Sequence, residues 1–470
     1  MNYFNIRRVH LLIVGLILFC FGLNGQTKFT VEEAIDYALM SHSSMRVADI
    51  NAADAEWTYK ENLAIGLPNF TADARYNYSF IRPKQVIEDF ISPLLVGALS
   101  QTSLAPELQG FGDGAPQTVE AAFVRRNQLT AGINMNVFIF NGNFFKGLGV
   151  AKLFIDLAKK QKTLTEQDIR TNVIGAFNNV IVTQKNQGTI LNNISNVSKL
   201  LNETRALYDN GFAEALDVDR LELSKHQLEN ELSKLEKLKE VALNVLKFQM
   251  AYPLEQPIEI VEDLEKDVDV ILLESVDLHD EVDLNLRPEY SLLQDAISLD
   301  KADLNRIKSG YWPSLYGSAT LEQNIQRDGL FNGDEPGWLP NGALGIRATV
   351  PIWDGGNLRA KIQRKKIVIE KREIELSEFE RGLRLQVFNA KSNLINAKSN
   401  LSTAKRALEI SEKIYEKTQI KYTNGVGSSI ELTQAESSLY QAQANYINAM
   451  YEILSAQTEL EIATGKINEK

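Results

Sequence analysis

Residues 132–142 read GINMNVFIFNG and residues 345–355 read GIRATVPIWDG, an offset of 213. Farther along, YDNGFAEAL at 208–216 is answered by YTNGVGSSI at 422–430, an offset of 214. Glu222 and Gln227 keep that second spacing with Glu436 and Gln441. A fixed internal period decides the architecture before any single element does. At roughly 210 residues the period is too long for a solenoid and describes two fused copies of one half. Each copy joins alternating, strand-like segments to very long helix-like ones.

The alternation has two faces. In FTADARYNYSF (70–80), Phe70, Ala72, Ala74, Tyr76, Tyr78 and Phe80 share one side, and Thr71, Asp73, Arg75, Asn77 and Ser79 the other. Leu129, Ala131, Ile133, Met135, Val137 and Ile139 then oppose Gln128, Thr130, Asn134 and Asn136. The second copy sets Leu315, Ala319, Leu321 and Ile325, then Leu344, Ile346, Ala348, Val350 and Ile352, against Ser318, Thr320, Glu322, Asn324, Arg347 and Thr349. Strands are expected at 66–80, 128–140, 313–326 and 343–353. Period-two alternation over about ten residues is the membrane β-strand pattern, apolar to lipid and polar to the lumen. A half-buried sheet of a soluble protein alternates as well. Four strands in two matching hairpins, with Phe70, Phe80, Phe140 and Trp353 placed like interfacial girdles, favour the membrane reading.

The hairpin loops explain why the period is not constant. Gly66-Leu67-Pro68 corresponds to Tyr311-Trp312-Pro313 at an offset of 245, because the first loop (81–127) is longer than the second (327–341). The long loop is rich in Gly, Pro, Ser and Gln, as an external surface loop would be. Four strands cannot close a barrel, since outer-membrane barrels start at about eight. An open edge in lipid strands backbone polar groups at several kcal/mol each. Strands that enter a membrane must therefore share a barrel among copies of the chain; three copies supply twelve strands.

Residues 143–208 and 356–421 contain no proline, and each spans about 99 Å as an α-helix. In the second, Leu383, Val387, Ala390, Leu394, Ala397, Leu401, Ala404 and Leu408 follow the alternating four-three spacing of a coiled-coil seam. Return helices are expected at 214–250 and 428–464, and shorter helices at about 30–65 and 287–309.

The apolar run Leu11–Leu23 follows Arg7 and Arg8 and is too short to span a bilayer. Residues 1–25 are read as an export signal cleaved after Gly25. Cys20, flanked by Phe19 and Phe21, is a poor lipid-attachment site, and no other cysteine follows. Export without disulfides suits the periplasm or outer membrane. The net charge of −11 is concentrated in residues 251–286, where twelve acidic side chains face only Lys266. Such a chain is no nucleic-acid binder. His10, His42, His226 and His279 lie in unrelated segments, and no HExxH, phosphate loop or G-x-S-x-G occurs. The expectation is a non-enzyme with no cofactor and no metal.

Together these features resemble the TolC family of outer-membrane efflux proteins. The resemblance is carried by the doubled Val-x-Ile-[Phe/Trp]-[Asn/Asp]-Gly at 137–142 and 350–355, the Leu67-Pro68 and Trp312-Pro313 strand starts, Arg287-Pro288-Glu289, and the two Tyr-x-Asn-Gly turns. It implies a mainly α fold with long antiparallel coiled-coil helices and four β-strands per protomer, which build a TolC-like α/β-barrel as a homotrimer. It divides the chain into a first outer-membrane-efflux repeat (26–250), an acidic equatorial insert (251–286) and a second repeat (287–470). The implied function is the outer-membrane exit duct of a tripartite efflux or type I secretion system in a Gram-negative bacterium. The implied partners are outer-membrane lipid, a periplasmic adaptor (membrane fusion protein) and an inner-membrane pump of RND, ABC or MFS type. The residue patterns alone also fit an exported periplasmic coiled-coil structural protein without channel activity.

The resemblance further places Gly211, Phe212, Gly425 and Val426 in the turns that dock the adaptor, and Asp217, Tyr422 and Glu431 at the periplasmic aperture. Gly427 stands where the family's aperture arginine would be, and Gln434 at a further acidic position, so the charged latch is incomplete. Local chemistry accounts for several of these residues too. Asn-Gly ends a helix in the left-handed conformation, Ser428-x-x-Glu431 reads as a capping box, and Asp217 suits a helix's first turn.

Overall fold

A computed structural model of the chain describes residues 27–89, 91–99, 101, 118–329 and 337–468. The expected export signal, with Cys20, lies outside them. In chain order the elements begin with β1 (Thr27–Phe29), α1 (Val31–Ser41), α2 (Ser43–Ile65), β2 (Asn69–Tyr78), β3 (Gln85–Glu88), α3 (Ile91–Leu99), β4 (Thr118–Ala121), β5 (Asn127–Asn141), α4 (Gly142–Asp209) and α5 (Ala215–Gln249). The order continues with β6 (Ile258–Ile260), α6 (Leu264–Leu273), α7 (Pro288–Lys308), β7 (Ser314–Arg327), β8 (Leu339–Thr349), α8 (Asn357–Thr423) and α9 (Ser429–Thr464). Two compact units result: Met1–Trp57, Lys152–Lys301 and Lys366–Lys470 form one, and Thr58–Ala151 with Ala302–Lys365 the other.

The second unit holds an antiparallel sheet of order β2-β5-β7-β8. Its register sorts the two faces. Ala72, Ile133, Leu321 and Gly342 form one cross-strand row, and Phe70, Met135, Ala319 and Leu344 the next. The opposite face carries rows such as Asp73, Gly132, Glu322 and Asn341. There Asn134 Nδ2 donates to Asp73 at 2.5 Å and Asn341 Nδ2 to Glu322 at 2.7 Å. The apolar row residues Phe70, Leu321, Leu344 and Ile346 are 66–88% exposed, so no described residue of the protomer covers them. Among the described residues neither edge strand, β2 or β8, has an outer partner.

Three strand expectations need correction. β2 starts at Asn69, because Gly66–Pro68 is spent turning out of α2. β8 runs Leu339–Thr349, four residues earlier than expected, and Val350, Ile352 and Trp353 lie past the ladder. Pro351 has no N–H to donate there. Third, β5 carries a bulge between Phe138 and Phe140, so that Phe140 pairs with Leu315. The extra residue turns both Ile139 and Phe140 to the apolar side, where Phe140 stacks on Trp312 with centroids 6.3 Å apart. The first hairpin loop is also more than a loop. It holds the β3–β4 ladder and α3.

The motif that opened the sequence turns out to be a strand-to-helix joint. Asn141 Oδ1 accepts from Phe144 N at 3.1 Å and caps α4. Asp354, its counterpart, accepts from Gly356 N at 3.0 Å and Leu358 N at 2.7 Å and caps α8. Cap oxygens satisfy N–H groups that a helix start leaves unpaired. With no proline inside, α4 then continues for 68 residues and α8 for 67.

In the first unit, Leu383, Val387, Ala390, Leu394, Ala397 and Leu401 of α8 are all buried, as the seam requires. Leu394, Ala397 and Leu401 pack with Ile447, Met450 and Ile453 of α9 and Val173, Phe177 and Val180 of α4, and Val387 and Ala390 pack with Ala463 of α9. The expected helix at 30–65 is broken at His42, which is extended (ψ 132°) and starts α2 by accepting Ser44 N–H at its Nδ1, 3.1 Å away. The acidic stretch 251–286 is not a solvated strip. β6 pairs in parallel with β1, and Ile258, Ile260, Leu264, Val268 and Ile271 enter the main core. The Arg287-Pro288-Glu289 motif fastens the start of α7: buried Arg287 donates to Ala463 O at 3.0 Å and to Glu289 at 3.1 Å, and Gln167 of α4 donates to Glu289 at 3.0 Å.

Candidate functional site

The turns joining each long helix to its return helix are built alike. Gly211 (φ +80°) and Gly425 (φ +72°) adopt the left-handed conformation. Gly211 N–H donates to Tyr208 O at 2.9 Å and Phe212 N–H to Leu207 O at 2.8 Å. The second copy repeats this with Gly425 to Tyr422 at 2.9 Å and Val426 to Lys421 at 3.0 Å. This is a Schellman motif, which satisfies the helix's last carbonyls. The residue after the glycine commonly folds back onto the helix in this motif. Here it does not: Phe212 is 82% and Val426 78% exposed. Leu216 and Ile430, in the first turn of the return helices and again 214 apart, are 52% and 63% exposed. Sequence reading missed these two residues, although the repeat offset pairs them.

The aperture residues are not all brought together. Tyr422 is buried, and its hydroxyl donates to Thr204 Oγ1 of α4 at 3.4 Å. Burial raises its phenol above the ordinary range, and the nearby Asp217 carboxylate adds to that. Asp217 accepts from the Glu214 backbone N–H at 3.3 Å, at the start of α5. Glu431 lies exposed in the first turn of α9, where its backbone N–H donates to Ser428 Oγ at 3.2 Å. The cap therefore runs through the backbone of residue 431. Gly427 lies against the last turn of α8: a Cβ there would stand 3.0 Å from Tyr422 N and 3.1 Å from Lys421 Cβ. An arginine at this position would need the turn to move.

Behind the turns, Leu200, Leu201, Val218, Leu221, Tyr415 and Leu432 make a separate small core. Polar links cross it unevenly. In the first copy Glu222 pairs with Arg205. In the second, Gln419 replaces the arginine, and Glu436 is buried at 1% exposure. It accepts from Ser224 Oγ at 3.2 Å and Tyr440 OH at 3.3 Å. Burial raises the Glu436 carboxyl above the ordinary carboxylate range and pushes the Tyr415 phenol up to about 12. Arg220 donates to Ser429 Oγ at 2.6 Å, tying α5 to α9.

An edge-open sheet with one bare apolar face, joined through capped turns to paired helices of more than sixty residues, defines the fold class of the outer-membrane efflux channels. Solved structures share it. VceC from Vibrio cholerae is 15% identical with a TM-score of 0.67, over 93% of this chain and 96% of that one. MtrE of Neisseria gonorrhoeae, in its open state, is also 15% identical at 0.67, over 93% and 88%. CmeC of Campylobacter jejuni is 13% identical at 0.66, over 93% and 85%. No curated protein matches the sequence. Residues 293–466 match the family described as outer membrane efflux protein.

Proposed function

We propose that the protein is the outer-membrane exit duct of a tripartite efflux or type I secretion assembly. It works as a homotrimer and passively releases substrates that an inner-membrane pump delivers through a periplasmic adaptor. The observation that carries this reading is the sheet: an exposed apolar face whose two edges have no partner among the described residues is stable in lipid only when neighbouring copies complete it. Four strands from each of three protomers reach the size range of outer-membrane barrels. In this reading Phe212, Val426, Leu216 and Ile430, with Gly211 and Gly425 shaping the turns, present the apolar patch that meets the adaptor. Asp217, Tyr422 and Glu431 line the periplasmic aperture.

Detergent-extracted protein should sediment as a trimer and form ion-conducting channels in planar bilayers. A stable monomer without conductance, recovered in the soluble periplasmic fraction, would overturn the reading. Glu431→Gln leaves the Ser428 cap intact, so a loss of cation preference in single-channel recordings would place its carboxylate at the aperture. Unchanged selectivity would remove it from there.

A further inference from the structure

Within the first unit lies a half-open cavity of about 570 Å³, bounded by α1, α4, the acidic insert and the end of α9. Its size is within the range of small-molecule sites, roughly 300–1,000 Å³. Its floor is apolar, made by Ile35, Ile174, Phe177, Ile181 and Leu454. Its rim is anionic, with Glu32, Asp36, Glu262, Asp267, Glu274 and Glu461; Arg170 is the one cationic side chain among the described residues that line it.

Two carboxamides in the lining have unmet hydrogen-bonding capacity. The Asn178 side chain is 9% exposed and makes no hydrogen bond with any described residue. Gln457 donates its Nε2 to Glu274 at 3.3 Å and Glu461 at 3.1 Å, but its Oε1 is buried without a partner. A buried polar atom left unpaired costs stability that a bound donor recovers. The rim carboxylates are crowded as well. Desolvation, then the charges of neighbouring acids, hold Glu262 and Asp267 above the ordinary carboxylate range. No described group of acids or histidines converges closely enough to hold a metal ion. That directs the excess negative charge toward a ligand whose cation is spread over an organic framework.

We propose that this cavity binds an amphipathic organic cation carrying N–H donors. Its apolar body covers Phe177 and Leu454, its N–H groups donate to the Asn178 and Gln457 side-chain oxygens, and the rim carboxylates balance its charge. The site lies wholly within the helical unit, so it does not depend on the channel reading, and either can fail alone.

The test uses the full-length detergent-purified protein and proflavine, a planar aromatic cation with amino N–H donors, followed by fluorescence anisotropy. Saturable binding at one site per protomer is expected, weakening with salt, and at least tenfold weaker in Asp267→Asn/Glu32→Gln and in Asn178→Leu. The control Glu409→Gln, outside the cavity lining, should bind like the parent, and the aromatic anion 1-anilinonaphthalene-8-sulfonate should not compete. Circular dichroism of each variant separates loss of the site from loss of fold; if Asn178→Leu does not fold, the carboxylate double variant decides. Binding that is unchanged in the folded pocket variants, equally weakened in Glu409→Gln, or displaced by the anion would overturn the proposal, as would no saturable binding at all.

Discussion

Glu436 shows how one substitution between repeats changes the chemistry of a site. Its counterpart Glu222 sits at the surface against Arg205, whereas Glu436 has Gln419 in place of that arginine and is enclosed by Ser224, Tyr440 and Tyr415. The carboxyl is therefore raised by desolvation. The unfolded chain releases this proton in the ordinary carboxylate range and the folded chain only at higher pH. Between those two values the folded state binds more protons, so stability is greatest below the unfolded pKa and falls as pH rises through the folded one. Glu436→Gln should flatten that segment of the melting-temperature profile and raise the melting temperature at neutral pH. A variant whose profile runs parallel to the parent's would contradict this. At the neighbouring turn, Gly425→Ala must place a Cβ at φ +72°. It should cost about 1–2 kcal/mol, measured by thermal unfolding. The conformation was legible in the Tyr-x-Asn-Gly motif. The burial of Tyr422 and the exposure of Phe212 were not, because both depend on what the opposite helices bring.

For the elements, spacing alone predicted the seam of α8: six of its eight residues are buried and Ala404 and Leu408 are partly so, since a four-three repeat leaves one stripe to bury. Leu394, fully buried in that seam, is the strongest test. Leu394→Ala should destabilise the helical unit by about 2–5 kcal/mol, read from the helical circular dichroism signal in denaturant; a loss under 1 kcal/mol would mean the seam is not the main core. The acidic insert was harder to read. Twelve carboxylates hid the spacing of Leu264, Val268 and Ile271, which buries one face of a ten-residue helix. Charge count describes the solvent side of an amphipathic element and says little about the other. The break at His42 was also invisible, because Ser41-His42-Ser43 contains no proline or glycine, and an imidazole acting as a cap has a weak sequence signal.

On the scale of the whole molecule, the lipid-facing reading of the sheet makes a graded prediction. Ile133 lies in the central row of the apolar face, between Ala72 and Leu321. Ala348 pairs with Leu315 in the last apolar row, beside Phe140 and Trp312. Ile133→Arg should therefore cost about 2–4 kcal/mol, as at a bilayer midplane, and Ala348→Arg about 0–1 kcal/mol, as near an interface. The measurement is the yield of assembled oligomer in the outer membrane. Equal loss in both, or in neither, would show that this face does not meet lipid along its length. Alternation by itself treated the two positions as equivalent; only the register ranks them by depth.

The duplication, the four alternating strands and the uninterrupted helices were all decided along the chain, because period, proline placement and cap residues act over a few neighbouring positions. The bulge that turns Phe140, the burial of Glu436, the core role of the acidic insert and the cavity beside it were decided only by tertiary structure. Each depends on residues more than a hundred positions apart meeting at one place, and local pattern carries no record of which distant side chain will supply the contact.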